Sequence, residues 1–93
     1  MRIDSIRHKA LRRFYLEGQT KGVIEPVRLA DMLTFIVAAP DFERLAQPPN
    51  FGFHALTGGR KGDFSMTVTR NWRLTFTQVD DGTIAGLDLE DYH

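Results

Sequence analysis

The chain has 93 residues, of which 42% are hydrophobic and 26% charged, with a formal net charge of zero and no cysteine. That length suits one compact domain, expected here over residues 1–93, and the apolar content with seven Phe excludes a disordered or collagen-like chain. Without Cys, a disulfide scaffold, a thiol nucleophile, an iron–sulfur cluster and a Cys-ligated zinc site are excluded as well. No apolar run follows Arg2 and Arg7, and the longest apolar stretch, Phe35–Ala39, falls far short of a membrane span. The expectation is a soluble, cytoplasmic protein without signal peptide or membrane contact.

Met1–Ser5 reads as a short initial strand. Ile6, Ala10, Leu11, Phe14 and Tyr15 then recur at helical spacing, with Lys9, Arg12, Arg13 and Glu17 on other faces, and Gly18 supplies a stop. A second helix is expected from about Pro26 to Ala39. Pro26 suits a first helical position, Val27, Ala30, Leu33 and Val37 form a stripe widened by Leu29 and Ile36, and Pro40 ends it. Asp41–Leu45 adds a helical turn capped by Asp41, and Pro48-Pro49-Asn50 breaks the chain.

From residue 51 the period switches to two. Phe51–Leu56 reads as a short strand and Thr57-Gly58-Gly59 as a turn. Phe64, Met66 and Val68 alternate with polar residues, and Trp72, Leu74 and Phe76 alternate with Arg73, Thr75 and Thr77. Placing both apolar sets on one face sets Val68 opposite Trp72. The three-residue loop Thr69-Arg70-Asn71 remains, with Asn71 expected in the left-handed conformation. Asp80-Asp81-Gly82 is the next turn, with Gly82 expected at positive φ, and Thr83–His93 is the last strand. There Leu87 and Leu89 share a face, extended by Asp91 and His93, while Asp88, Glu90 and Tyr92 share the other. Two helices followed by an antiparallel meander give an α+β fold, the helices packed on one side of an antiparallel sheet.

The neutral total hides segregation. Arg2, Arg7, Lys9, Arg12 and Arg13 make one basic block, Arg60, Lys61, Arg70 and Arg73 a second, and residues 74–93 carry acidic residues and no Lys or Arg. The two blocks suit either a polyanion-binding face or two ordinary solvated faces. His8, His54 and His93 lack metal-ligand spacing, so no metal site is expected, and Gly58–Gly62 lacks the spacing of a phosphate-cradling P-loop. His54 lies in an apolar strand, where a structural role is the commoner one. Arg73 is the only charge in Trp72–Gln78, opposite the aromatics, and is either a stem covering the sheet or a ligand for an anion. The end Asp91-Tyr92-His93 is either a frayed terminus or a set of acid, phenol and imidazole. Together these residues would suffice to cut RNA without a metal or cofactor. Attack by the 2′-OH needs a base, an acid for the leaving oxygen and a cation for the phosphorane charge. Imidazole and guanidinium supply them near neutral pH.

The run Gly52–Ser65 resembles a G-x-x-x-H-x-L-x-G-x-R-x-G-x-[WFY]-S pattern, offset by one across Gly58–Gly62. Asn71–Phe76 resembles the N-[WY]-R-[IL]-x-F block that follows it, and the opening Ile6–Tyr15 and closing Leu89–His93 match as well. Over nearly its whole length the chain is similar to HigB-type toxins of the RelE superfamily, from bacterial type II toxin–antitoxin pairs. The resemblance implies a microbial-RNase-like α+β fold and ribosome-dependent cleavage of mRNA in the decoding site. It places His54, Arg73, Asp91, Tyr92 and His93 at catalytic positions, with Arg73 on the phosphate and His54 and His93 as acid–base candidates. Lys9, Arg12 and Arg13 would face ribosomal RNA, with Arg60, Lys61 and Arg70 as further RNA contacts. Family members often carry Lys where Thr57 stands, and Arg60 or Lys61 is the replacement at hand. The implied partner is a HigA-like helix-turn-helix antitoxin, through which alone the toxin meets operator DNA; no cofactor is implied. The alternative is a module of this fold that binds an antitoxin or RNA without cutting.

Overall fold

A computed structural model describes residues 1–91; Tyr92 and His93, two of the expected catalytic residues, lie outside the described residues. The elements are β1 (Arg2–Ile3), α1 (Lys9–Glu17), α2 (Pro26–Ala38), β2 (His54–Ala55), β3 (Asp63–Thr67), β4 (Trp72–Asp80) and β5 (Thr83–Asp91). Single 3₁₀ turns occupy Phe42–Ala46 and Gly58–Arg60. The helix boundaries follow local chemistry. His8 caps α1, its Nδ1 accepting from the Leu11 N–H at 3.1 Å, and Gly18 ends the helix at a φ of 73°. Pro26 starts α2, and Asp41 Oδ1 accepts from the Arg44 N–H at 3.1 Å to cap the turn that follows.

The sheet order is β1-β5-β4-β3-β2. The four long-range neighbours β2 to β5 pair antiparallel as expected, with Met66 opposite Leu74 and Thr67 opposite Arg73. The hairpin closes as its register demands, the Val68 N–H donating to the Trp72 carbonyl at 2.9 Å. The expected all-antiparallel sheet needs correction at one edge, because β1 runs parallel to β5. Both helices and three strands separate these two in sequence, so no hairpin constrains their relative direction. Two turn expectations are also corrected: neither Asn71 nor Gly82 takes positive φ. Side chains shape those turns instead, Thr69 Oγ1 accepting from the Asn71 N–H at 3.4 Å and Asp80 Oδ1 from the Gly82 N–H at 2.9 Å.

The expected strand Phe51–Leu56 shrinks to β2. Asn50, Phe51 and Gly52 take φ of 33°, 49° and 70° in succession, and a ladder cannot run through three left-handed residues. In β5 a bulge at Gly86, with a φ of 63°, shifts the pairing from Thr77 opposite Ala85 to Thr75 opposite Asp88. The extra residue turns both Ile84 and Leu87 inward, although three positions separate them, and both are fully buried. One core results. Leu11, Leu29, Met32, Leu33 and Ile36 from the helices pack on Met66, Leu74, Phe76, Ile84, Leu87 and Leu89 from the sheet. Beside them Phe53 stacks on Phe64 with centroids 5.5 Å apart, and Phe42 meets Phe64 edge-on at 4.7 Å, which anchors the chain just before His54.

Candidate active face

The sheet face turned away from the helices carries the polar side chains. The register sets His54 opposite Ser65, Ser65 opposite Thr75, Thr67 opposite Arg73 and Arg73 opposite Glu90. Directly paired residues share a face, so these groups form a lattice across β2 to β5. His54 Nδ1 lies 2.9 Å from the Gly52 carbonyl, and its Nε2 lies 3.4 Å from Ser65 Oγ. Arg73 Nη1 donates to the same Ser65 Oγ at 3.4 Å. The imidazole is exposed, Arg73 is half-buried, and Ser65 beneath them is fully buried. An imidazole and a permanent cation thus stand on two sides of one hydroxyl.

A second cluster adjoins this row. Arg60 reaches from the turn before β3 to β5, where its Nη1 and Nη2 each donate to Glu90 at 2.8 Å. Its Nε also donates to Asp63 at 3.3 Å, and Thr75 Oγ1 donates to Glu90 Oε2. The Arg60 hydrogen bonds hold the Glu90 carboxyl below its ordinary range against the opposing effect of burial, with Thr75 and the charge of Arg7 helping. The Glu90 contact in turn raises the Arg60 pKa further. Arg7 joins this face as well. Its Cδ would lie 3.6 Å from a Cβ at Gly86, and a cleft of about 50 Å³ is lined by Arg7, Arg60, Asp63, Thr75 and Thr77 among others.

Of the residues singled out from sequence, His54 and Arg73 therefore come together. Asp91 pairs with Trp72, on the opposite face from Arg73, at the exposed end of β5. Lys9, Arg12 and Arg13 are exposed on α1, and Lys61 and Arg70 are exposed in the turns bounding β3. Arg60 is committed to Glu90 and Asp63, so it acts as a strut across the sheet, and Thr57 is an exposed neutral side chain at the start of the 3₁₀ turn. Ser65 and Glu90 carried no expectation. Ser65 stands in the Phe64-Ser65 step of the motif, yet alternation alone marks it as a solvated position, whereas it is fully buried and meets both His54 and Arg73. A larger concavity, about 540 Å³, is elsewhere: it lies between the helices, lined by Phe14, Tyr15, Leu33 and Val37 among others. Among the described residues no helix is long and apolar enough to cross a membrane.

Two helices on one side of a five-stranded mixed sheet, with the polar face left open, define a RelE-like toxin fold. The crystal structure of a YafQ mutant from E. coli has this architecture, with a TM-score of 0.62, covering 98% of this chain and 93% of that one at 17% identity. A family model described as RelE-like toxin of type II toxin–antitoxin system HigB matches residues 4–93, and the chain belongs to that family. Among curated proteins, Endoribonuclease HigB of Proteus vulgaris is 38% identical over 93 residues, spanning 98% of this chain and 99% of that protein. Membership in a type II pair implies an antitoxin partner.

Proposed function

We propose that this chain is an endoribonuclease that cuts mRNA on the ribosome, in the decoding site, by metal-free attack of the 2′-OH on the adjacent phosphorus. The observation that carries this reading is the juxtaposition of His54 and Arg73 over Ser65, on the sheet face turned away from the helices. The relative named Endoribonuclease HigB supports the endoribonuclease activity. One imidazole removes the 2′-OH proton, Arg73 takes up charge on the phosphorane oxygens, and a second acid protonates the departing 5′-oxygen. His54 and His93 are the acid–base pair, with Asp91 and Tyr92 contributing from the chain end. Lys9, Arg12, Arg13, Lys61 and Arg70 hold the RNA backbone; Arg60 enters as a strut. A HigA-like helix-turn-helix antitoxin neutralises the toxin and carries it to operator DNA. Action on translated mRNA places the protein in the cytoplasm.

The test is cleavage of a defined mRNA by the purified chain on programmed ribosomes, with analysis of the new ends. Attack by the 2′-OH leaves a 2′,3′-cyclic phosphate and a 5′-hydroxyl, so primary products with a 3′-hydroxyl exclude the mechanism. Intact mRNA in the presence of translating ribosomes favours the alternative of a module that binds without cutting.

A further inference from the structure

We propose that Ser65 is a positioning residue for RNA cleavage: its buried hydroxyl and the Gly52 carbonyl together hold His54 in the tautomer that presents a lone pair on Nε2 beside Arg73. The proposal rests on the reading that this face cuts RNA. Its chemistry follows from which groups can donate. A carbonyl only accepts, so the 2.9 Å contact with Gly52 requires a proton on Nδ1, and the neutral ring then accepts at Nε2. Arg73 only donates, so Ser65 Oγ accepts from Nη1 and turns its own proton toward Nε2. The direction of donation along Arg73, Ser65, His54 and Gly52 is thereby fixed at both ends, and the Ser hydroxyl, which both accepts and donates, joins them. Both contacts to Ser65 are 3.4 Å, the loose geometry of a site awaiting substrate, and a ribose 2′-OH is the hydroxyl that would replace Ser65 at Nε2.

The backbone shows that the other anchor is built for its place. Asn50, Phe51 and Gly52 all hold positive φ, a conformation that a bulky residue such as Phe51 rarely adopts. The turn is tied down on both sides. Asn50 Oδ1 accepts from the Gly52 N–H at 3.0 Å, and the Phe51 carbonyl accepts from the Thr67 N–H at 2.7 Å. A Cβ at Gly52 would meet Thr67 Oγ1 at 3.0 Å, at a positive φ of 70°, so any other residue here is strained. The strained turn ends with the Gly52 carbonyl aimed back at the ring two residues on. His54 therefore suits the base role, and donation to the leaving oxygen falls to the chain end.

Two measurements on the full-length chain test this. In ¹⁵N spectra of the imidazoles, recorded without RNA, neutral His54 should show a protonated Nδ1 and a bare Nε2, the reverse of the form that exposed histidines favour. Ser65→Ala should shift the Nε2 resonance, keep the wild-type urea midpoint, and slow single-turnover cleavage on the order of a hundredfold without changing the concentration for half-saturation. Ser65→Thr, which retains the hydroxyl, should recover most of that rate. A protonated Nε2 in the wild-type protein, or a Ser65→Ala protein that cuts at the wild-type rate, overturns the proposal. A wild-type chain inert toward RNA would sink the cleavage reading, and the ring spectrum would then decide the hydrogen-bond chain alone.

Discussion

Arg73 is a long cationic side chain at the centre of a sheet, and its position alone does not separate a structural from a chemical role. Its neighbours do. The core residues on the same strand, Leu74 and Phe76, are buried against the helices, so the fold's apolar contacts are complete without the guanidinium. What Arg73 adds is a fork of donors beside an imidazole, and removing one preorganised charge stabiliser costs on the order of 10²–10³ in rate. Arg73→Ala should lose cleavage by that factor while its urea midpoint and antitoxin affinity stay near those of the wild type. A protein that instead unfolds at clearly lower urea would make Arg73 a structural stem. At this scale strand parity alone set Arg73 on the polar face, whereas His54, a lone histidine in an apolar strand, was singled out only by the family resemblance. Ser65 was not legible, since a serine in an alternating strand reads the same whether it meets water or an arginine. Glu90 was equally hidden: it belonged to an acidic run, and its partner Arg60 lies 30 positions away.

Between elements, the Arg60–Glu90 pair is the tie that spans the sheet. It links the turn after β2 to β5 over the buried Thr75, with two parallel hydrogen bonds of 2.8 Å. Exposed pairs contribute up to about 1 kcal/mol, and bidentate geometry favours the upper end of that range. Because pairing lowers the Glu90 pKa in the folded state, its contribution is fully present above the unfolded value, about 4.3, and is lost as pH falls through the folded one. Urea midpoints of the wild type and of Glu90→Gln should therefore differ at neutral pH and converge in acid below that range. A gap that stays unchanged as pH falls until the wild type itself unfolds in acid would mean that the pair does not stabilise the fold through the Glu90 charge. Elements defined by periodicity were the legible ones: α1, α2 and the hairpin register all follow from apolar spacing. The parallel β1, the left-handed turn at 50–52 and the Gly86 bulge were not, because each depends on where distant chain arrives. A bulge is invisible to alternation until the pairing partner is known.

For the whole molecule, the helices and the His54–Arg73 lattice occupy opposite sides of one sheet, so substitutions on the candidate active face leave the core contacts in place. The chain end sets the sharpest test of that separation. Deleting Tyr92 and His93 leaves Ile84, Leu87 and Leu89 in the core and leaves Glu90 on Arg60, so the described contacts of β5 survive. If the terminal imidazole donates the proton to the leaving 5′-oxygen, the truncated chain should fold, bind its antitoxin, and fail to arrest growth when expressed alone. General acid catalysis supplies about 10²–10⁴ in rate, enough to separate a toxin from an inert protein. A frayed tail without a role predicts full toxicity from the same truncation. His93→Gln sharpens the comparison, since glutamine keeps a polar side chain but exchanges no proton near neutrality. Cleavage by that variant at the wild-type rate would remove His93 from the acid–base pair. The second proton transfer would then fall to Asp91, Tyr92 or water, working with a His54 already held as a base.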